Sequence, residues 1–308
     1  MKMNPSNQTP TRPPRLKPGD TIGIVAPAGA FDHEILAQGL CALQSMGFLT
    51  RVPEEIFDKS GYLAGSDAQR ARLVNQLFED PDVQAIVCAR GGFGCLRILP
   101  LVDFDIISAH PKVFVGFSDI TALLAAITCR SGLVTFHGPM VTPLATAPEL
   151  TRRSLAAAIA SATPLKISPA AGIVLQAGRA KAPVIGGNLN TLCHLLGTPF
   201  ETEYKNHILL LEDRGEAPYR IDRMLSQMKL AGCFEDIAGI ILGSFEDCGN
   251  LDDIYRIFKD CFQDIQIPIL AGFDVGHGKQ NLTIPIGMTA TLDTDQQLLS
   301  FAQPATMG

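Results

Sequence analysis

The stretch Lys112-Val113-Phe114-Val115-Gly116-Phe117-Ser118-Asp119-Ile120-Thr121 reads as an apolar strand that stops at a glycine and turns at once into a helix. A serine at such a junction is held on a sharp strand-to-helix turn. Its hydroxyl then points out of the fold, beside the first unpaired N–H groups of the helix. Ser118 is therefore the candidate nucleophile, and the chain on either side is read for the parts a nucleophile needs.

Upstream, Thr21–Ala28 is β-branched and apolar on both faces, as a strand buried in a parallel sheet is. Asp32–Met46 follows with helical spacing of Ile35, Leu36, Leu40, Leu43 and Met46, closed by Gly47. Phe48–Val52 reads as a strand, Ala68–Phe78 as a helix capped by Ser66 or Asp67, and Val83–Ala89 as a strand. That strand ends in the glycine-rich loop Arg90-Gly91-Gly92-Phe93-Gly94. Downstream of Ser118, Asp119–Cys129 has a helical pattern and Leu133–Phe136 a strand pattern. This βαβα alternation predicts a mostly parallel sheet flanked by helices, with sites beyond the carboxyl ends of its strands. The Arg90 loop and Ser118 both fall there.

Past Ala145 the pattern weakens. One modest helix, Leu150–Ser161, precedes prolines 164 and 169. Apolar strands then resume at Pro183–Asn188, His207–Asp213 and Gly239–Gly243, with helices over 189–196, 219–231 and 254–262. Short strands are predicted at 269–271, 282–284 and 289–292. The fold class is thus α/β: a mostly parallel N-terminal sheet domain carrying a nucleophile elbow, plus a smaller C-terminal mixed α/β domain. Four parts are expected: a flexible tail over 1–15, the nucleophile domain over 16–145, an interdomain linker over 146–180 and the C-terminal domain over 181–308.

Composition narrows the function. The chain has 308 residues, is 46% hydrophobic and 18% charged, and carries a net charge of −6, the balance of a globular enzyme and not of a disordered chain. Nucleic acid and anionic membrane are not expected as partners, because both require a basic footprint. The start of the chain has no apolar core of a signal peptide, and no run of about 18 apolar residues occurs. A cytoplasmic location is expected. Eight cysteines lack Cys-x-x-Cys spacing, so neither a disulfide framework nor a structural zinc is expected.

A serine nucleophile needs a base, and the base an orienting acceptor. Of six histidines, His277 alone stands in a loop between two glycines after an apolar strand, where an imidazole can project into a cleft. His137, at another strand end in the Ser118 half, is the main rival. The orienting carboxylate is one of Glu212, Asp213 or Glu216, and Glu212 is preferred as closest to the apolar run Leu209-Leu210-Leu211. For the oxyanion, the N–H of Asp119 and a donor from the Arg90–Gly94 loop are available. Taken alone, that loop equally suits a phosphate, which leaves a non-catalytic anion- or nucleotide-binding protein as an alternative.

These residues carry a resemblance. Ala89-Arg90-Gly91-Gly92-Phe93-Gly94, Gly116-Phe117-Ser118-Asp119-Ile120-Thr121, Gly186-Gly187-Asn188-Leu189, Leu211-Glu212-Asp213, Tyr219-Arg220-Ile221-Asp222-Arg223 and Gly276-His277-Gly278 together resemble the LD-carboxypeptidase family. That family comprises murein tetrapeptide carboxypeptidases, with relatives conferring self-immunity to microcin C. The resemblance implies a serine peptidase with Ser118 as nucleophile, His277 as base and Glu212 orienting it. It implies backbone N–H groups of Gly92 and Asp119 as the oxyanion hole, and no metal or organic cofactor. The implied substrate is a murein tetrapeptide losing its terminal D-Ala in the cytoplasm during wall recycling, and the implied assembly a homodimer. Phe93 stands where tyrosine is frequent in the family. The microcin-type relatives act on aminoacyl or peptidyl adenylate analogues with extra aromatic contacts, and this chain has no Trp and four Tyr. Arg220 and Arg223 are left open between gripping a substrate carboxylate and packing a helix.

Overall fold

The structure, a computed structural model, describes residues 10–308. The first half supplies strands β1 (Thr21–Val25), β2 (Leu49–Arg51), β3 (Ala85–Cys88), β4 (Val113–Gly116) and β5 (Thr135–His137). Between and after them lie helices α1 (His33–Ser45), α2 (Asp67–Glu79), α3 (Cys95–Ile98), α4 (Phe104–Ala109), α5 (Thr121–Ser131), α6 (Val141–Leu144) and α7 (Glu149–Ala160). The second half supplies β6 (Lys166–Ile167), β7 (Ile173–Gln176), β8 (Arg179–Asn188), β9 (Ile208–Arg214), β10 (Gly239–Glu246), β11 (Ile269–Ala271), β12 (Ile284–Ile286), β13 (Thr289–Asp293) and β14 (Leu298–Phe301). Its helices are α8 (Leu189–Leu195), α9 (Pro218–Leu230) and α10 (Leu251–Phe262).

Two sheets result. One has the order β12-β5-β4-β3-β1-β2, with β1 to β5 all parallel and β12 antiparallel to β5. The other has the order β6-β14-β13-β8-β9-β10-β11-β7, parallel through β8 to β11 and antiparallel at both flanks. Strands β3 and β4 are buried at every position, which is why they read as unbroken apolar runs: helices cover both faces. Helix α1 comes so close to α6 that a Cβ at Gly39 would collide with the Val141 carbonyl, so a glycine there sets the helix separation.

Three expectations need correction. Of the tail over 1–15, residues 1–9 lie outside the described residues, but 11–15 are tied down. Thr11 bridges Leu133 and Pro14 bridges Met307, with Arg15 N donating to Met307 O at 2.7 Å. The passage 146–180, expected as a linker, carries α7, the edge strands β6 and β7 and the start of β8. Edge strands of two and four residues are too short to show a periodicity, so spacing alone did not show them. The strand expected at 282–284 in the C-terminal domain is β12, which crosses back to pair Ile284 with His137 in the N-terminal sheet. That second sheet also has more strands than the first, β14 having gone unrecognised.

Candidate active site

Strand β4 is buried and ends at Gly116, after which the chain reverses within two residues. Ser118 pays for that reversal with φ 63°, a left-handed conformation uncommon for a non-glycine residue and costing about 1–2 kcal/mol. It is held because a single 3₁₀ turn over Ser118–Ile120 leads straight into α5. The half-buried hydroxyl is thereby presented at the carboxyl end of the sheet. The N–H groups of Asp119 and Gly92 flank the elbow, Asp119 in the first turn after the serine and Gly92 in the glycine-rich loop at φ 107°. The Asp119 carboxylate meanwhile accepts the Cys95 N–H at 2.8 Å and so ties the end of the Gly-rich loop to the elbow. Burial pushes its pKa up, against the pull of that hydrogen bond. The loop closes over the elbow: a Cβ at Gly91 would lie 3.0 Å from Ser118 Cβ and 3.2 Å from its Oγ. Buried Arg70 fixes the loop from behind by bonding the carbonyls of Pro27 and Gly94.

From the other sheet, β9 delivers Glu212 with no exposed surface, and the loop after β11 delivers His277. Glu212 Oε2 accepts from His277 Nδ1 at 2.7 Å and from the His277 backbone N–H at 3.2 Å. His277 Nε2 lies 3.0 Å from Ser118 Oγ. Burial pulls the His277 pKa down, but the hydrogen bond and charge of Glu212, with Asp213 behind, outweigh it and leave it above its ordinary value. The loop is braced by Ser244, whose Oγ accepts from Gly278 N at 2.9 Å and lies 3.1 Å from Val275 O, and by Asn281 Oδ1, which accepts from Gly276 N at 2.9 Å. Gly276 has φ +101°, and a Cβ there would drive into Glu212 Oε2, so the bond to His277 exists only over a glycine. The Phe117 ring packs edge-on against the imidazole, with centroids 4.9 Å apart.

The other candidates separate. Asp213 points away from His277, accepting from Asn188 Nδ2, Asn190 N and Arg214 N, and burial with the neighbouring Glu212 charge raises its pKa to about 6. Glu216 accepts from Asn190 Nδ2 at 2.8 Å and pairs with Arg220 at 3.5 Å. Exposed Arg223 lies over the Tyr219 ring, and neither arginine reaches the serine. His137 is wholly buried and does not bond Ser118. Ser244 and Asn281 were not anticipated, since no local pattern distinguishes a serine inside a strand or an asparagine in a loop. Among the described residues no group of His, Cys, Asp and Glu is arranged to hold a metal, and no helix is long and apolar enough to cross a membrane.

An elbow serine, an imidazole on it and a buried carboxylate behind the imidazole can carry out acyl transfer. Comparison with known proteins agrees in class. Residues 22–138 match the model of the LD-carboxypeptidase N-terminal domain, and residues 181–292 that of the C-terminal domain. The probable murein peptide carboxypeptidase of Bacillus subtilis is 37% identical over 297 residues, covering 93% of this chain and 92% of that protein. The microcin C7 self-immunity protein MccF of Escherichia coli is 32% identical, covering 94% of each. Among solved structures, the muramoyltetrapeptide carboxypeptidase of Oxalobacter formigenes superposes with a TM-score of 0.81 at 27% identity, over 92% of this chain and 99% of that one.

Proposed function

The chain belongs to the LD-carboxypeptidase family, and we propose that it hydrolyses the L,D-peptide bond that releases terminal D-Ala from murein tetrapeptides, with Ser118, His277 and Glu212 as its triad. The observation that carries the reading is the continuous hydrogen-bonded line from Glu212 Oε2 through His277 to Ser118 Oγ. Neutral His277 takes the proton from Ser118 as its oxygen attacks the scissile carbonyl. Glu212 holds the ring tautomer with Nδ1–H toward itself and stabilises the imidazolium. The N–H groups of Gly92 and Asp119 receive the oxyanion, both placed beside the elbow. The imidazolium then protonates the departing D-Ala amine, and water, activated by the same ring, releases the acyl-enzyme. We further propose the cytoplasm and wall recycling as the setting, two folding domains meeting at the site, and a homodimer as the assembly.

A reading as an adenylate-directed peptidase is favoured by the likeness to MccF. A non-catalytic anion-binding protein leaves the hydrogen-bonded line without a purpose. The test is release of D-Ala from purified tetrapeptides, of Lys and diaminopimelate type, by wild type and by Ser118→Ala, with an aminoacyl sulfamoyl adenosine assayed alongside. Release that Ser118→Ala abolishes supports the proposal. Undiminished release by Ser118→Ala removes the serine mechanism, and turnover of the adenylate analogue alone transfers the site to the second reading.

A further inference from the structure

Beneath the triad lie four polar atoms, all on buried residues, that no group among the described residues bonds: Nδ1 and Nε2 of His137, Oε1 of Glu212 and Oγ1 of Thr283. They come from β5, β9 and the residue just before β12. His137 ends β5, its Cα opposite Gly116 on β4 and Ile284 on β12, so Thr283 precedes its partner. Gly187 stands one residue before Asn188, the β8 partner of Glu212, and a Cβ there would lie 3.2 Å from His137 Nδ1. The Phe117 ring touches both imidazoles, its centroid 6.0 Å from His137 and 4.9 Å from His277.

A packing role does not account for this. A buried polar atom left unbonded costs about 1–3 kcal/mol, and an aromatic hydrocarbon would fill the same space without that cost. The atoms instead complement one another. Burial pushes the His137 pKa down to about 4, so the ring is neutral, with one N–H donor and one acceptor nitrogen. Glu212 Oε1 can only accept, and the threonine hydroxyl does both. Groups of this kind in protein interiors are joined by an ordered water making two to four hydrogen bonds.

We propose that His137 is a positioning residue for the triad, bridged through a buried water to Glu212 Oε1 so that Oε2 stays turned toward His277. The proposal rests on the triad read above. It supplies a partner for the second oxygen of a carboxylate that has no exposed surface and of which the described residues bond only one oxygen. The charged and titratable groups acting on the Glu212–His277 pair are Asp213 and Arg214 from β9 and His137 from β5; the elbow presents uncharged Ser118 and Phe117.

The experiment measures kcat, KM and the pH profile of D-Ala release for His137→Phe and His137→Gln in the full chain. Loss of the bridge lets Glu212 turn, and misplacement of this order costs about 10²-fold, so His137→Phe should lose roughly that in kcat with KM little changed. Its acidic limb should move to lower pH as His277 loses its carboxylate. His137→Gln, which keeps a donor and an acceptor, should recover most of the rate. Wild-type kinetics in the Phe variant, or a Gln variant as impaired as Phe, overturns the proposal. Should the Phe variant not fold, nitrogen-15 spectra of the histidine rings in the unmutated site and in Glu212→Gln decide. Ring nitrogens of His137 that do not respond to Glu212→Gln overturn it equally. Ser118→Ala is the control: activity persisting there removes the triad itself, whereas its loss beside an unaltered His137→Phe removes only the bridge.

Discussion

Ser118 shows how much a single backbone angle carries. Its left-handed φ aims the hydroxyl at His277 Nε2, and no neighbouring side chain could substitute from the same turn. By the usual behaviour of such triads, His277→Ala should lower kcat by about 10⁶-fold and Glu212→Gln by about 10⁴-fold, because orientation is lost before base chemistry. Steady-state assays on folded variants check the order, and Asp213→Asn being worse than Glu212→Gln would contradict the carboxylate assignment. A pH profile adds a sign. The base must be neutral, and Glu212 holds its pKa above 6.5, so the acidic limb of kcat/KM should lie above that value. In Glu212→Gln burial is opposed by the Asp213 charge alone, and the limb should move to lower pH.

The strands and helices that bring these groups together are held by a few close approaches. Gly39 lets α1 lie against α6, and Gly39→Ala should destabilise the protein by about 1–3 kcal/mol through overpacking, readable in urea unfolding. The brace from Ser244 to the His277 loop is a neutral hydrogen bond pair of modest worth, about 0.5–1.5 kcal/mol each. Ser244→Ala should therefore reduce kcat by about tenfold while leaving the melting temperature nearly unchanged. Equal losses in kcat and stability would mean that Ser244 supports the strand and not the loop.

Across the entire chain, β12 returns from the second half to close the edge of the first sheet, and Thr11 and Pro14 fasten the opposite terminus to residues 133 and 307. The N-terminal half alone would expose β5, including its wholly buried His137. A fragment ending at residue 145 should accordingly fail to give a cooperative unfolding transition, whereas the full chain should give one by calorimetry. Acid should weaken the fold through His137. Its folded pKa of about 4 lies below the ordinary 6.5, so its contribution is present above pH 6.5 and is lost as pH falls toward 4. His137→Phe should flatten the stability curve across that window.

Much of this was legible along the chain. The parallel sheet could be read from β3 and β4 because strands covered on both faces must be apolar throughout, and of the two cap candidates for α2 the structure selects Ser66, while Asp32, read as part of the first helix, caps it. The candidate site was legible as far as residue types at strand ends and in a Gly-His-Gly loop. Among Glu212, Asp213 and Glu216, local pattern preferred Glu212 only by its place next to the apolar run, since all three carboxylates offer the same chemistry. Tertiary packing alone turned Glu212 to His277 and Asp213 to Asn188, drew β6, β7 and β12 into sheets, and buried the His137 ring with no hydrogen-bond partner among the described residues. The reason is physical: periodicity reports which face of a segment is covered, while register, and the partner across it, are set by contacts between residues distant in sequence, 25 positions for Asn188 and Asp213 and 65 for Glu212 and His277.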